Sequence, residues 1–179
     1  MDNRKTKLSK RLLKEALIEL LQTKSISQIT IKELCDIADL NRSTFYAHYE
    51  DVYNLLSSIE DDIIDEMPTI FYSEKPSQKD ILNYAAYIEK NYRTFIALMK
   101  NGNFINKSIE KSFEKYNSEF EKIPEDKIHL FKFIANYYMG GLFQSLLYWS
   151  KNNKVLSLQE ISEIIYLLLN ESIKIRMNH

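Results

Sequence analysis

"ITIKELCDIADLNRSTFYAHYEDVYNLL", residues 29–56, sets two short periodic segments on either side of a break of three residues. Ile31, Leu34, Cys35 and Ala38 recur at i, i+3, i+4 and i+7, the buried stripe of a two-turn helix. Thr30 and Glu33 stand before and within it in the T-x-x-E relation of a capping box. Asp39-Leu40-Asn41 leaves room for a tight turn and nothing more. Asn41 suits the N-cap of a third helix over 42–48, in which Phe45 and Tyr49 turn inward at i,i+4. The other side of that helix carries Arg42, Ser43, Tyr46 and, at its far end, His48. A face kept only for solubility is usually Lys and Glu; hydroxyls and aromatics there suggest a surface shaped to meet a partner.

Two short helices joined by such a turn make a helix-turn-helix. In that arrangement the second helix enters the DNA major groove with its N-terminal residues at base edges. Arg42 offers a bidentate fork to guanine, and Ser43 and Thr44 can donate or accept. Tyr46 and His48 suit phosphate oxygens. Thr30 places a hydroxyl and the free N–H groups of a helix start where a phosphate could sit. The competing reading is a solvated polar face of a helical bundle. Cys35 lies in the buried stripe and reads as an inert core thiol, with redox or metal chemistry as the alternative.

Outward from this stretch, residues 5–22 form a first helix with Leu13, Ala16, Leu17, Leu20 and Leu21 on one stripe. A fourth runs from about 51 to 67, with Val52, Leu55, Leu56, Ile59 and Ile63 facing in. Pro68 to Pro76 is the obvious linker, which divides the chain into domains at 1–67 and 77–179. Beyond it the periodicity predicts helices at 77–91, 92–99, 104–121, 124–152 and 157–176, the last opened by a Ser157–Glu160 capping box. The fold class expected is all-α with about nine helices. Only 3 glycines and 3 prolines in 179 residues agree, because sheets need many turns.

A hydrophobic fraction of 45 % with 27 % charged residues is a soluble globular composition. One cysteine excludes an internal disulfide and fits a reducing compartment, and the absence of an apolar leader fits a cytoplasmic protein. The net charge of −1 argues by itself against a nucleic-acid binder, but the distribution does not. Arg4, Lys5, Lys7, Lys10, Arg11 and Lys14 crowd the first helix against Asp2 alone, whereas residues 50–66 hold seven acids and no base. The basic arm would supply sequence-independent attraction to DNA. Phe133 to Ser150 carries no charge, the minimum length for a membrane span, yet its polar residues and equal lysine flanks favour a buried helix.

The quoted stretch closely resembles the DNA-binding signature of the TetR (tetracycline-repressor-like) family of transcriptional regulators. The shared features are Thr30 before the supporting helix, the stripe Ile31/Leu34/Ala38, the S-T-F-Y run and Tyr49 after His48. More loosely, "FIANYYMGGLFQSLLYWSKNN" (133–153) resembles the eighth helix of the subgroup similar to the dihydroxyacetone-operon regulator DhaS. The resemblance implies a three-helix DNA-binding unit, a connecting fourth helix, and a C-terminal helical domain for ligand binding and dimerisation. It places DNA contacts on Thr30, Asn41, Arg42, Ser43, Thr44, Tyr46 and His48. One departure stands out: many members carry a lysine at the start of the fourth helix, where this chain has Val52 behind Glu50 and Asp51.

Residues 128–149 and 158–173 are apolar nearly all round and so need cover on several sides, which a second copy of the chain would supply. A homodimer through Gly140, Gly141, Gln144, Ile161, Ile165 and Leu168 follows; a local kink is the other reading of the glycine pair. Tyr84, Tyr87, Phe95, Met99, Tyr137, Tyr138 and Phe143 either line an effector cavity or form simple core. The effector expected is an uncharged or amphipathic small molecule. No cofactor, metal or enzymatic activity is expected, since His48, His129 and His179 are scattered and no phosphate loop or nucleophile–base pair occurs. The function these signs suggest is a repressor released from an inverted-repeat operator by a small molecule. An activator, or a helical adaptor acting through a protein partner, is the alternative.

Overall fold

The computed structural model describes residues 4–67, 77–101, 103–115, 125–152 and 155–177. Among them every regular element is helical: α1 (Arg4–Leu20), a 3-10 turn (Ile26–Gln28), α2 (Ile31–Ala38), α3 (Arg42–Tyr46), α4 (Val52–Glu66), α5 (Gln78–Lys90), α6 (Tyr92–Asn101), α7 (Phe104–Lys115), α8 (Glu125–Lys151) and α9 (Leu158–Met177). The all-α class is the one the sequence predicts. The proposed linker at 68–76 and the end of the 104–121 helix lie outside the described residues.

The chain forms two compact units, one of Met1–Asp65 with Arg93–Phe104, the other of Glu66–Tyr92 with Ile105–His179. Most of α6 therefore belongs with the N-terminal unit, although the sequence places it beyond the linker. Specific contacts hold it there. The Ile26 N–H donates to Asn101 Oδ1 at 3.0 Å, and the Gln22 side chain donates to the Arg93 carbonyl at 3.3 Å. Phe95 is buried edge-on against Phe104, ring centroids 5.5 Å apart.

The core of the first unit is built from helical stripes that meet: Leu13 and Leu17 of α1, Leu34 of α2, Phe45 of α3 and Leu55 of α4 are all fully buried. Each such side chain contributes roughly 1.5–3 kcal/mol of hydrophobic stabilisation. A polar clamp ties α1 to α4, where Lys14 Nζ donates to the Ser58 carbonyl at 3.3 Å and pairs with Asp62.

In the second unit, Ile81, Tyr84, Ala85 and Ile88 form the buried stripe of α5, which packs along α9. Ile165 and Leu169 are the buried side of α9. Both helices start in capping boxes. Ser77 Oγ accepts from the Asp80 N–H while Asp80 accepts from the Ser77 N–H, and Ser157 and Glu160 repeat the arrangement. These bonds stabilise the ionised carboxylates. The Ser77 hydroxyl bond holds Asp80 below its ordinary pKa, and the Ser157 N–H does the same for Glu160.

The 133–150 segment is buried on one side only in the single chain, through Met139, Leu142, Phe143, Leu146 and Trp149. Leu130, Phe133, Tyr137, Gly141, Gln144 and Tyr148, spaced three or four apart on α8, are all exposed, Phe133 and Tyr137 at 71 %. No described helix is long and apolar enough to cross a membrane.

Candidate nucleic-acid interface

Local geometry in the first unit starts at Thr30, the N-cap of α2, whose Oγ1 accepts from the Glu33 N–H at 3.2 Å. The expected capping box is only half formed, because the Glu33 carboxylate pairs with Lys24 instead. α2 ends at Asp39, which adopts the left-handed conformation at φ 52°, ψ 46° and donates its N–H to the Cys35 carbonyl. Leu40 donates to the same carbonyl, so the chain leaves α2 in the tight turn at Asp39-Leu40-Asn41 that the sequence anticipates. Cys35 is itself buried, and burial pushes its thiol up; Arg42 nearby pulls the other way.

Asn41 occupies the N-cap position of α3 through its backbone, its carbonyl accepting from Thr44 and Phe45. Its side chain makes no capping bond and is exposed. Regular α-helix stops at Tyr46, two residues earlier than the sequence suggests. His48 and Tyr49 continue the chain with N–H bonds to the Phe45 carbonyl.

Phe45 anchors α3. It is fully buried, stacks edge-on with Tyr46 and packs against Tyr49, with centroids 5.5 and 5.9 Å away. With that side fixed, Asn41, Arg42, Ser43 and Tyr46 are exposed, and Thr44 and His48 are half-buried. Six of the seven residues expected to meet DNA thus sit together on or beside α3, while Thr30 stands at the start of the supporting helix.

α4 begins without a cation. Val52 is buried, and Asp51 Oδ1 accepts from the Asn54 N–H at 2.7 Å while Asn54 Oδ1 accepts from the Glu50 N–H. The carboxylate of Asp51 therefore caps the helix end that a phosphate could otherwise approach.

Sequence reasoning did not single out a polar cleft of about 290 Å³ between the start of α1 and α3 with the two residues that follow it. Lys5, Thr6, Ser9, Ser43, Thr44, Ala47 and His48 line it.

The residues expected elsewhere are distributed over both units. Tyr84 and Phe143 are buried and pack together at 6.1 Å in the second unit, where Tyr87 and Tyr138 are half-buried. Tyr137 is exposed, edge-on to Tyr138, and shares the outer stripe of α8 with Gly141 and Gln144. Phe95 and the half-buried Met99 belong to α6 and the first unit. Among the six dimer candidates, Gly141, Gln144 and Leu168 are exposed, Gly140 and Ile161 half-buried, and Ile165 buried within the chain. The outward side of α9 carries Ile164 and Leu167 in addition to Leu168.

No protein-family model matches the chain. A curated protein of Bacillus subtilis (strain 168), described as the uncharacterized HTH-type transcriptional regulator YxbF, is 21 % identical over 171 residues. That match covers 89 % of this chain and 44 % of the relative, so the chain spans less than half of the relative's length. Among solved structures, the chain is similar to the dihydroxyacetone kinase operon activator DhaS, with a TM-score of 0.57 and 21 % identity over 93 % of this chain and 97 % of that one. It is also similar to a TetR transcriptional regulator from Streptococcus agalactiae 2603V, at TM-score 0.60 and 20 % identity, covering 92 % and 95 % of the two chains. A tetR-family regulator from Streptomyces coelicolor gives 0.54 and 14 %, over 88 % and 77 %. At these identities the likeness establishes the fold: an all-α architecture of the TetR type.

Proposed function

We propose that the chain is a dimeric DNA-binding transcriptional regulator that reads an inverted-repeat operator through α3. The observation that carries this reading is the division of α3 into an anchored side, Phe45 with Tyr49, and a presented side of Asn41, Arg42, Ser43 and Tyr46. A five-residue helix gains little from its own hydrogen bonds. Its burial through one aromatic leaves the opposite side to serve recognition. Arg42 reads a base by its fork, and Tyr46 bonds a phosphate oxygen.

A second copy covers the outer side of α8, where a Cβ built on Gly140 or Gly141 meets nothing of this chain within 4 Å. The glycine pair therefore answers no packing need among the described residues. Two-fold pairing through this side presents two recognition helices, and two-fold DNA matches them. A small uncharged or amphipathic molecule taken up beside Tyr84, Tyr87, Tyr138 and Phe143 in the second unit relieves repression. The similarity to DhaS, an operon activator, favours regulation of the opposite sign as a second reading.

An electrophoretic shift with DNA flanking the protein's own gene tests the reading. Footprinting is expected to show two half-sites about one helical turn apart, ~34–36 Å, or a multiple of it. A single asymmetric half-site, or no shift at low salt, contradicts it. Transcription from that promoter with and without the protein decides the sign.

A further inference from the structure

The cleft between α1 and α3 has a chemistry that folding alone does not call for. Lys5, Thr6 and Ser9 line it from α1, and Ser43, Thr44, Ala47 and His48 from α3 and the residues that follow it. Ser9 does not act as a ligand, because its hydroxyl is engaged with the Lys5 carbonyl at 3.0 Å and so braces the turn that carries Lys5. The walls offer an ammonium, three hydroxyls and an imidazole, all able to donate hydrogen bonds. No carboxylate is among the described lining residues, in a chain whose net charge is −1. Hydrogen-bond donors lining a space with one cation suit an oxyanion with several acceptor oxygens. Ser43 lies both on the cleft and on the presented side of α3, so the anion within reach is the backbone of the duplex that α3 enters.

We propose that this cleft seats one backbone phosphate of the DNA, held jointly from α1 and α3. Lys5 Nζ supplies the charge, and the Thr6 and Thr44 hydroxyls and the His48 imidazole supply directed bonds. Thr44 is then a positioning residue for the duplex and reads no base. α1 does more than attract DNA at a distance: its first turn fixes the register in which α3 lies in the groove. The seat rests on the DNA reading proposed above.

The test uses the full chain and fluorescence anisotropy with a random-sequence duplex and with the flanking DNA of the gene, at several salt concentrations. Lys5→Gln is expected to make the log–log salt slope shallower by about 0.9. Thr44→Val is expected to weaken binding roughly three- to tenfold on both duplexes alike, with base preference unchanged. Combining the two should cost less than the product of the single losses, because both act on one phosphate. Ala47→Leu, which puts a larger side chain on the lining, should lose as much as the double variant, with thermal melts confirming that each variant is folded.

Replacing single phosphates by neutral methylphosphonates locates the contact. Wild-type affinity should drop at each contacted phosphate, and Lys5→Gln should be indifferent to replacement at one of these positions per half-site while keeping the losses at the others. Unchanged binding by Lys5→Gln and Ala47→Leu, fully multiplicative losses, or a Thr44→Val that alters base preference overturns the seat while the DNA reading stands. A wild-type chain that binds neither duplex at low salt overturns the DNA reading itself, and the seat with it.

Discussion

Asp39 holds the turn of the helix-turn-helix at φ 52°, a conformation in which a side chain crowds its own backbone. Aspartate tolerates it better than most residues, but glycine tolerates it best. Asp39→Gly is therefore expected to raise stability by up to ~1 kcal/mol in urea denaturation, and Asp39→Val to lower it by at least as much. Equal stabilities would show that the turn relaxes out of the left-handed region. Glycine is the usual sequence mark of this conformation, so without one the turn was legible from its length but its strained residue was not. Thr30 shows a similar limit. Its capping hydroxyl could be read from T-x-x-E, but Lys24, nine residues upstream, takes the Glu33 carboxylate, and no local pattern reveals a rival partner. On α3 the roles assigned to two exposed residues separate cleanly by experiment. Arg42→Ala should weaken operator binding by ~1–3 kcal/mol and relax preference at one base pair. Tyr46→Phe should weaken binding to every sequence alike, since a phosphate contact carries no base information. Binding titrations against single-base operator variants distinguish them, and the reversed pattern would exchange the two roles.

The start of α4 shows how an element is set by competing demands on its end. Val52 is buried and so belongs to the core, and Asp51 already caps the helix. A lysine at 52 would strand its stem in the core and cost stability. Tyr53, exposed at 53 %, is the better place for a cation. Tyr53→Lys is expected to strengthen binding to any duplex and to steepen the log–log salt slope by about 0.9 per site engaged, with unchanged melting. No change in slope would mean that this helix end lies off the DNA. The starts of α5 and α9 respond to pH instead. Asp80 and Glu160 are held below their ordinary values of 3.8 and 4.5 by their serine caps. Their contribution to stability is complete above those ordinary values and is lost as pH falls through the lowered ones. Melting followed by circular dichroism should therefore weaken as pH falls below about 4, and Ser157→Ala should remove part of that dependence. The Ser157–Glu160 box was legible because serine and glutamate stand three apart before an apolar run. Ser77 was legible as a cap alone, since Asp80 is a less usual third member. α6 was the element whose membership could not be read. Its attachment to the first unit runs through Asn101 Oδ1 and the Arg93 carbonyl, polar contacts across 75 and 71 residues that leave no periodic trace.

At the scale of the molecule, the two long C-terminal helices have apolar residues on more sides than their own chain covers. The sequence shows that surplus but not its direction, and the inward side of α9 proves to include Ile165, one of the residues first assigned to the interface. The outward side is fixed by Leu130, Phe133, Tyr137 and Tyr148 on α8 and by Ile164, Leu167 and Leu168 on α9, all exposed. Gly141 lies in the α8 row and is exposed, with open space where its Cβ would be. Two effects of Gly141→Leu therefore have opposite signs. Within one chain a Cβ at this position meets no described neighbour within 4 Å, and the leucine replaces a residue about 1 kcal/mol worse than alanine in a helix, so helicity and the folded single chain are kept or improved. Between two chains the same leucine stands where helices must approach closely, and overpacking there separates them. The expected result is a wild-type dimer at micromolar concentration and a well-folded Gly141→Leu monomer, read by sedimentation together with circular dichroism. Gly141→Ala should fall between them, because one methyl group is a smaller intrusion. Operator binding should fall with dimerisation, since a monomer engages only one half-site, whereas binding to a random duplex at low salt should fall far less. A Gly141→Leu chain that remains a dimer, or a wild-type chain that sediments as a monomer at micromolar concentration, would mean that the outer side of α8 is not where two copies meet.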